Sequence, residues 1–383
     1  MIIKAPKLEE LMQQLIALPS ISCTNPVLDQ GNRNVINTLS NWLENMGFST
    51  EIQPLNSDGS KANLIATTGQ GKYGLVLAGH TDTVPFDENR WNSDPFKLTK
   101  ADNRFYGLGT ADMTSFFALI IEAVRDLDLS SLKQPLIILA TADEETSMSG
   151  AKALNASHFS GGRFALIGEP TGLKPVRMHK GMMMEAIKLT GLSGHSSNPA
   201  LGNSALEAMH RVITELLKWR DELQAAYNNP LFEIPVPTMN LGHIHGGDNP
   251  NRICGHCELQ IDIRPLPGMS LVDLRHELEQ RLKKTLAGTM ISYETLALFD
   301  GVAAVETPAD SKLVKAVEKL TGSPAEAVAF STEAPFYNEL GMDSVVLGPG
   351  HINQAHQPNE YLATSQIKPA VKLIQDLVKQ FCM

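Results

Sequence analysis

The sequence predicts an α/β protein: a mostly parallel sheet with helices, interrupted by an inserted ferredoxin-like domain of β-α-β-β-α-β order. Three observations predict it. Short runs rich in Leu, Val, Ile and Ala end in Gly or polar residues and are separated by helical patterns. A strongly apolar helix pattern separates the first two runs. Between residues 179 and 299 the pattern changes to amphipathic strands and helices.

Taken in order, the chain opens on "MIIKAPKLEELMQQLIALPS", a helical pattern carrying acidic residues and lacking the charge layout of a secretory signal. The runs "GLVLAGH" (74–80), "PLIILATA" (135–142), "FALIGE" (164–169) and "SVVLGPG" (344–350) read as interior strands buried on both faces. "TSFFALIIEAVRDL" (114–127) is the apolar helix between the first two. In the middle third, "MMMEAIKLTG" (182–191) reads as a strand and "NSALEAMHRVITELLKWRDEL" (203–223) as a helix. The strands "TMNLGHIHG" (238–246) and "CGHCELQIDIR" (254–264) follow. The helix "SLVDLRHELEQRLKKTL" (270–286) and the strand "ISYETLAL" (291–298) complete the unit. Residues 179–299 therefore form an inserted domain, and 1–178 with 300–383 the domain that it interrupts. The amphipathic helix "QIKPAVKLIQDLVKQF" (366–381) returns to the first domain.

Composition narrows the function. A chain of 383 residues, 43% hydrophobic and 19% charged, can bury a sizeable core, and no run approaches the length of a membrane span. A net charge of −10 argues against nucleic acid as a partner, since phosphate binding wants a basic face. A cytoplasmic protein without a membrane partner is expected. Cys23, Cys254, Cys257 and Cys382 are too few for a disulfide framework. "CGHC" (254–257) has the spacing of a redox dithiol, but that chemistry needs a thiolate at a helix N-terminus. Here the period-2 pattern Ile253, Leu259, Ile261, Ile263 reads as a strand, so structural cysteines are expected.

In open α/β sheets ligands bind beyond the carboxyl ends of the strands. At those ends stand His80 and Asp82 in "GHTDTVP", Asp143, Glu144 and Glu145 in "ADEET", Glu169 in "GEPT" and His356 in "HINQAHQPNE". Asp112, in "GLGTADM", precedes the apolar helix. A lone histidine after a strand is ordinarily a loop residue, and an Asp before a helix a cap. Gathered at one sheet edge without a cation, however, such a set would repel itself. Imidazole with carboxylate and no cysteine suits zinc or a neighbouring divalent metal. Residues 80 and 82 share one face of an extended chain, so Asp82 is placed to accept the other ring N–H of His80. Glu144 and Glu145, adjacent on an extended chain, should point differently, one ligating and the other facing substrate.

Together, "AGHTDTVPFDENRW", "GLGTADM", "ATADEETSMSGA", "IGEPT", "GLSGHSSNPA", "CELQIDIRPLPGM" and "INQAHQPNEY" resemble the dinuclear zinc amidohydrolases of the aminoacylase and carboxypeptidase G type. The similarity runs almost end to end. "GHTDTVPFD", "RMHKG" and "NLGHIHGGD" favour a deacetylase branch over a desuccinylase branch. The resemblance implies a zinc-peptidase-like catalytic domain holding two divalent ions, zinc foremost with cobalt able to substitute, and a lid and dimerisation domain. It makes Asp112 the bridging carboxylate, with His80 and Glu169 completing one metal site and Glu145 and His356 the other. Glu144 becomes the general base and Asp82 the support of His80. His195 of "GHSS" would reach the site of a second copy in a homodimer. Asn251, Arg252 and Arg264 fall in segments similar to substrate-binding ones, and one arginine there would hold the substrate carboxylate. The implied substrate is a small N-acyl amino acid. A binding protein that had lost its chemistry would have no need of Glu144. One departure is visible: relatives commonly carry Lys-Gly after "ADM", where this chain has Thr114-Ser115.

Overall fold

A computed structural model describes residues 5–159 and 161–383. Residues 1–4, the opening of the N-terminal helical reading, lie outside the described residues. The chain divides into two compact units, Met1–Arg177 with Thr307–Glu326 and Thr332–Met383, and Met178–Glu306 with Ala327–Ser331.

The sheet of the first unit runs in the order Ser49–Pro54, Ala62–Thr68, Leu136–Thr141, Gly74–His80, Gly162–Pro170, Asp343–Gly348, Val176–His179. Its four central strands are parallel. Every residue of Gly74–His80 and of Leu136–Thr141 is buried, which is why both read as continuous apolar runs rather than alternating ones. Each Leu or Ile so enclosed contributes roughly 1.5–3 kcal/mol, so the strands order their ends firmly. The helix Ser115–Val124 is buried on almost all sides and packs with Leu8–Ile16 and Thr364–Cys382.

Two glycines set how closely that helix approaches the sheet. A Cβ on Gly79 would lie 2.2 Å from Met113 Cε, and one on Gly168 would lie 2.2 Å from Phe116 Cδ1. Bare backbone at these points lets the start of the helix rest directly on the strand residues preceding His80 and Glu169. The residue before Met113 is Asp112, so the same contact carries it to the strand ends.

The second unit is a four-stranded antiparallel sheet in the order Thr238–Gly246, His256–Arg264, Met183–Thr190, Ser292–Ala297. With helices Ala205–Ala226 and Leu271–Thr285 the chain order is β-α-β-β-α-β. Burial alternates along His256–Arg264, as a half-covered strand requires. Ser204 and Ser270 cap the two helices, accepting from the N–H of Glu207 and Asp273. Arg281 ties the helices together through Glu215 and Glu222, and Glu277 one turn earlier on its own helix also pairs with it.

The unit extends past the expected boundary at 299. Met182 and Val302 exchange backbone hydrogen bonds, and Val305–Glu306 pairs with Met178–His179. Residues 327–331 also belong here, because Lys180 N–H donates to the carbonyl of Val328 and Ser331 Oγ to that of Lys180. Cys254 and Cys257 are both buried, the strand begins only at His256, and neither cysteine lies in a helix. Burial pushes the Cys257 thiol up, the opposite of what a redox thiolate needs.

Candidate metal centre

His80 ends its strand and is almost completely buried. Its Nε2 lies 3.1 Å from Asp112 Oδ1 and 3.7 Å from Glu169 Oε1. The other oxygen of Asp112, Oδ2, lies 3.6 Å from His356 Nε2, which is 3.1 and 3.0 Å from the two oxygens of Glu145. Asp112 thus stands between two sets, His80–Asp112–Glu169 and Asp112–Glu145–His356, each with candidate ligand atoms within 4.8 Å of one another. Two ligands each about 2.0–2.1 Å from a tetrahedral cation stand roughly 3.3 Å apart, and these separations bracket that value. The peptide bond between Asp112 and Met113 is cis.

The donor set fits divalent metal. Glu169 Oε1 is buried and accepts no hydrogen bond, an orphaned position for a carboxylate oxygen unless a cation takes the lone pair. Burial, reinforced by neighbouring carboxylates, pushes Glu144 and Glu169 well above the usual range although His80 opposes it. Burial alone would lower His80, yet Glu169, Asp112, Asp82 and Glu144 hold it well above its ordinary value. The hydrogen bond to Glu145 lifts His356 to about 9. The cluster therefore gathers positive charge wherever it can. Ions of this kind are held by imidazole and carboxylate.

Two expected details are corrected. His80 Nδ1 lies 2.9 Å from the backbone carbonyl of Asp82 and 3.7 Å from its carboxylate, so the carbonyl and not the side chain takes the ring N–H. The Asp82 carboxylate instead accepts from the N–H of Glu144 at 3.3 Å and of Glu145 at 3.1 Å. Nor are the two glutamates back to back on an extended chain. Asp143 has a positive φ of 60°, and the carbonyl of Asp143 collects the N–H groups of Ser147 and Met148, curling 144–147 into a turn. An oxygen of each glutamate then lies within 4.8 Å of the other and of a His80 nitrogen. The Asp143 side chain secures the turn through Ser22, Lys61 and Ser149.

One residue that sequence reasoning missed is Glu360. Its buried carboxylate accepts from the backbone N–H of Gly109, Ala111 and Asp112 at 3.0, 2.7 and 3.0 Å. Only its place in "HQPNEY", four residues after His356, could have drawn notice. Glu333 is likewise buried, with Tyr337 donating to it at 2.8 Å and Oε1 unpartnered. Thr114-Ser115, the departure noted above, begins the buried helix, and Ser115 N–H donates to the carbonyl of Gly109.

The remaining predicted site residues belong to the second unit. His195 is exposed and its Nδ1 lies 2.8 Å from Ser197 Oγ. It forms an isolated bridge with Arg252, and Ser196 N–H donates to the carbonyl of Asn251, so His195, Asn251 and Arg252 lie on two paired loops. Arg252 also pairs with Asp248, in a cleft of about 790 Å³ that includes Ser196, Asn203 and Asn249. Arg264 is not brought to them: it ends the strand His256–Arg264 and pairs with Asp262 at 3.0 Å.

The model of peptidase family M20/M25/M40 matches residues 76–380. The acetylornithine deacetylase of Proteus mirabilis (strain HI4320) is 52% identical over 381 residues, covering 100% of this chain and 98% of the relative. That of Pectobacterium carotovorum subsp. carotovorum (strain PC1) is 52% identical over 377 residues, 98% of each. Among solved structures, aminopeptidase PepT from Bacillus cereus superposes with a TM-score of 0.78 at 18% identity, covering 100% of both chains. A Bacillus subtilis protein described as a dinuclear metal binding peptidase of the M20 family gives 0.70 at 16% identity, covering 98% of this chain and 97% of the other. At those identities the structures speak to the fold alone.

Proposed function

The chain belongs to peptidase family M20/M25/M40, and from that premise we propose how it works on its substrate. It is an amide hydrolase that removes the acetyl group of N-acetylornithine, giving ornithine and acetate. The geometry supporting a paired-metal mechanism is that of Asp112, which turns one oxygen to His80 and the other to His356. His80 and Glu169 would hold one ion with Asp112, and Glu145 and His356 the other. Zinc is the ion that this donor set suits best, with cobalt as a substitute. Bound there, such ions would bring the pKa of a water toward about 7 and polarise the amide carbonyl.

The chain's own residues do the rest. Glu144 takes the proton of the attacking water and returns it to the α-nitrogen as the C–N bond breaks, a role that its place beside His80 and Glu145 supports. Asp82 holds the turn that carries Glu144 and Glu145, and its carbonyl fixes the His80 ring so that Nε2 faces Asp112. The first unit is the catalytic domain, and the second is a lid that pairs two copies into a homodimer. The partner subunit's His195 would stabilise the oxyanion that develops on the carbonyl, with Asn251 beside it. Of the two arginines, one holds the substrate α-carboxylate in its guanidinium fork. The reaction would serve arginine biosynthesis in the cytoplasm. No helix among the described residues is long and apolar enough to cross a membrane.

Acetate release from N-acetylornithine is expected to cease on exhaustive chelation and to return with zinc or cobalt(II). Activity that survives with metal removal verified would overturn the metal reading; faster release of succinate from a succinylated substrate would overturn the substrate. A second expectation concerns the shared site. His195→Ala and Glu144→Gln proteins should each be severely impaired, yet regain activity when mixed and allowed to exchange subunits. Exchange without recovery would mean that each site is built from a single chain.

A further inference from the structure

The strands Arg104–Tyr106 and Tyr361–Ala363 are antiparallel neighbours, with Tyr106 opposite Tyr361. Beyond that pair, two loops leave side by side, 107–112 running to Asp112 and 356–360 running back to His356. Glu360 joins them at both its backbone and its side chain. Its carbonyl accepts from Gly107 N–H at 3.1 Å, and its carboxylate accepts from Gly109, Ala111 and Asp112. We propose that Glu360 is a positioning residue for the metal pair, fixing the backbone of Asp112 relative to the loop that bears His356. The inference rests on the reading of Asp112 as the shared ligand.

The physical reason lies in the three N–H groups. Donors at successive turns of a buried loop must be satisfied, and no helix or sheet partner satisfies these. One carboxylate takes all three, which holds the loop in a single conformation and leaves the Asp112 side chain free to face both histidines. A bridging ligand has little tolerance, because a small rotation that favours one ion moves its other oxygen away from the second. Partners of this supporting kind commonly change metal affinity by about 10–100-fold when replaced.

Glu360→Gln tests it. The amide keeps the size of the side chain but turns a donor toward Gly109 N–H. Zinc binding, measured by chelator competition on the otherwise intact protein, should weaken at least ten-fold for one ion. The visible spectrum of the cobalt(II) protein should change, while far-UV circular dichroism stays as it was. Asn359→Gly removes the neighbouring side-chain bonds to Asn92 N–H and the Arg90 carbonyl and serves as a control for general loosening of the loop. It should retain both affinity and spectrum. Glu360→Asp, whose carboxylate sits one methylene back, carries the same test if the amide prevents folding. Unchanged zinc affinity and an unaltered cobalt spectrum, with or without a fall in Tm, would overturn the inference. So would equal weakening by Asn359→Gly. If Asp112→Asn also keeps both ions, the bridging assignment itself is what fails.

Discussion

Glu144→Gln is expected to bind both metal ions normally and to lose roughly 10²–10⁴ in kcat, the usual cost of removing a general base. That corresponds to about 3–5 kcal/mol of transition-state stabilisation. Glutamine is nearly isosteric, so the turn held by the Asp82 carboxylate should persist, because its bonds go to backbone N–H groups and not to the Glu144 side chain. KM should change little, since the group acts on a proton in flight and not on the resting substrate. The measurement needs two readouts. Glu144 stands close enough to His80 and Glu145 to be a candidate ligand itself, so metal content must be determined alongside kcat. Two ions with a collapsed kcat support a base; lost metal with a collapsed kcat would make Glu144 a ligand; near-normal turnover would dismiss both roles.

The legibility of this site in the sequence follows from how each residue acts. Strands buried on both faces, such as Gly74–His80 and Leu136–Thr141, announce themselves by uninterrupted apolar runs, and their ends then nominate His80, Glu144, Glu145 and Glu169. By contrast, Ser49–Pro54 is an edge strand with mixed exposure and carries no such signal. Asp82 departs from the period-2 expectation because that pattern holds only where the chain is extended on both sides. Its actual partners are N–H groups in a turn more than sixty residues away, created by the positive φ of Asp143. Glu360 was invisible for a related reason. It works through backbone N–H groups that every residue possesses, about 250 positions earlier in the chain, so no residue type marks its partners. Charge at a strand end can be read from sequence; a carboxylate that serves another loop's backbone cannot.

Asp112→Asn is expected to do more damage than Glu144→Gln, and of a different kind. The carboxylate has two equivalent oxygens and a full negative charge, and it places Oδ1 near His80 and Oδ2 near His356. An asparagine has one acceptor oxygen, so whichever way the amide turns, an NH₂ group faces one of the two cation positions. The loss of charge weakens attraction to both ions at once. Replacing a supporting residue typically costs about 10–100-fold in metal affinity, so loss of a shared ligand should exceed that. Bound metal should fall below two per chain at micromolar zinc, and turnover should drop further than the roughly 10²–10⁴ expected from losing the base. Raising free zinc should restore part of the activity of Asp112→Asn but none of that of Glu144→Gln, because only the first defect is one of occupancy. That contrast separates the two roles without reference to absolute rates. An Asp112→Asn protein that holds two ions tightly and turns over normally would show that the charges around His80 and His356 are balanced independently, with no carboxylate shared between them.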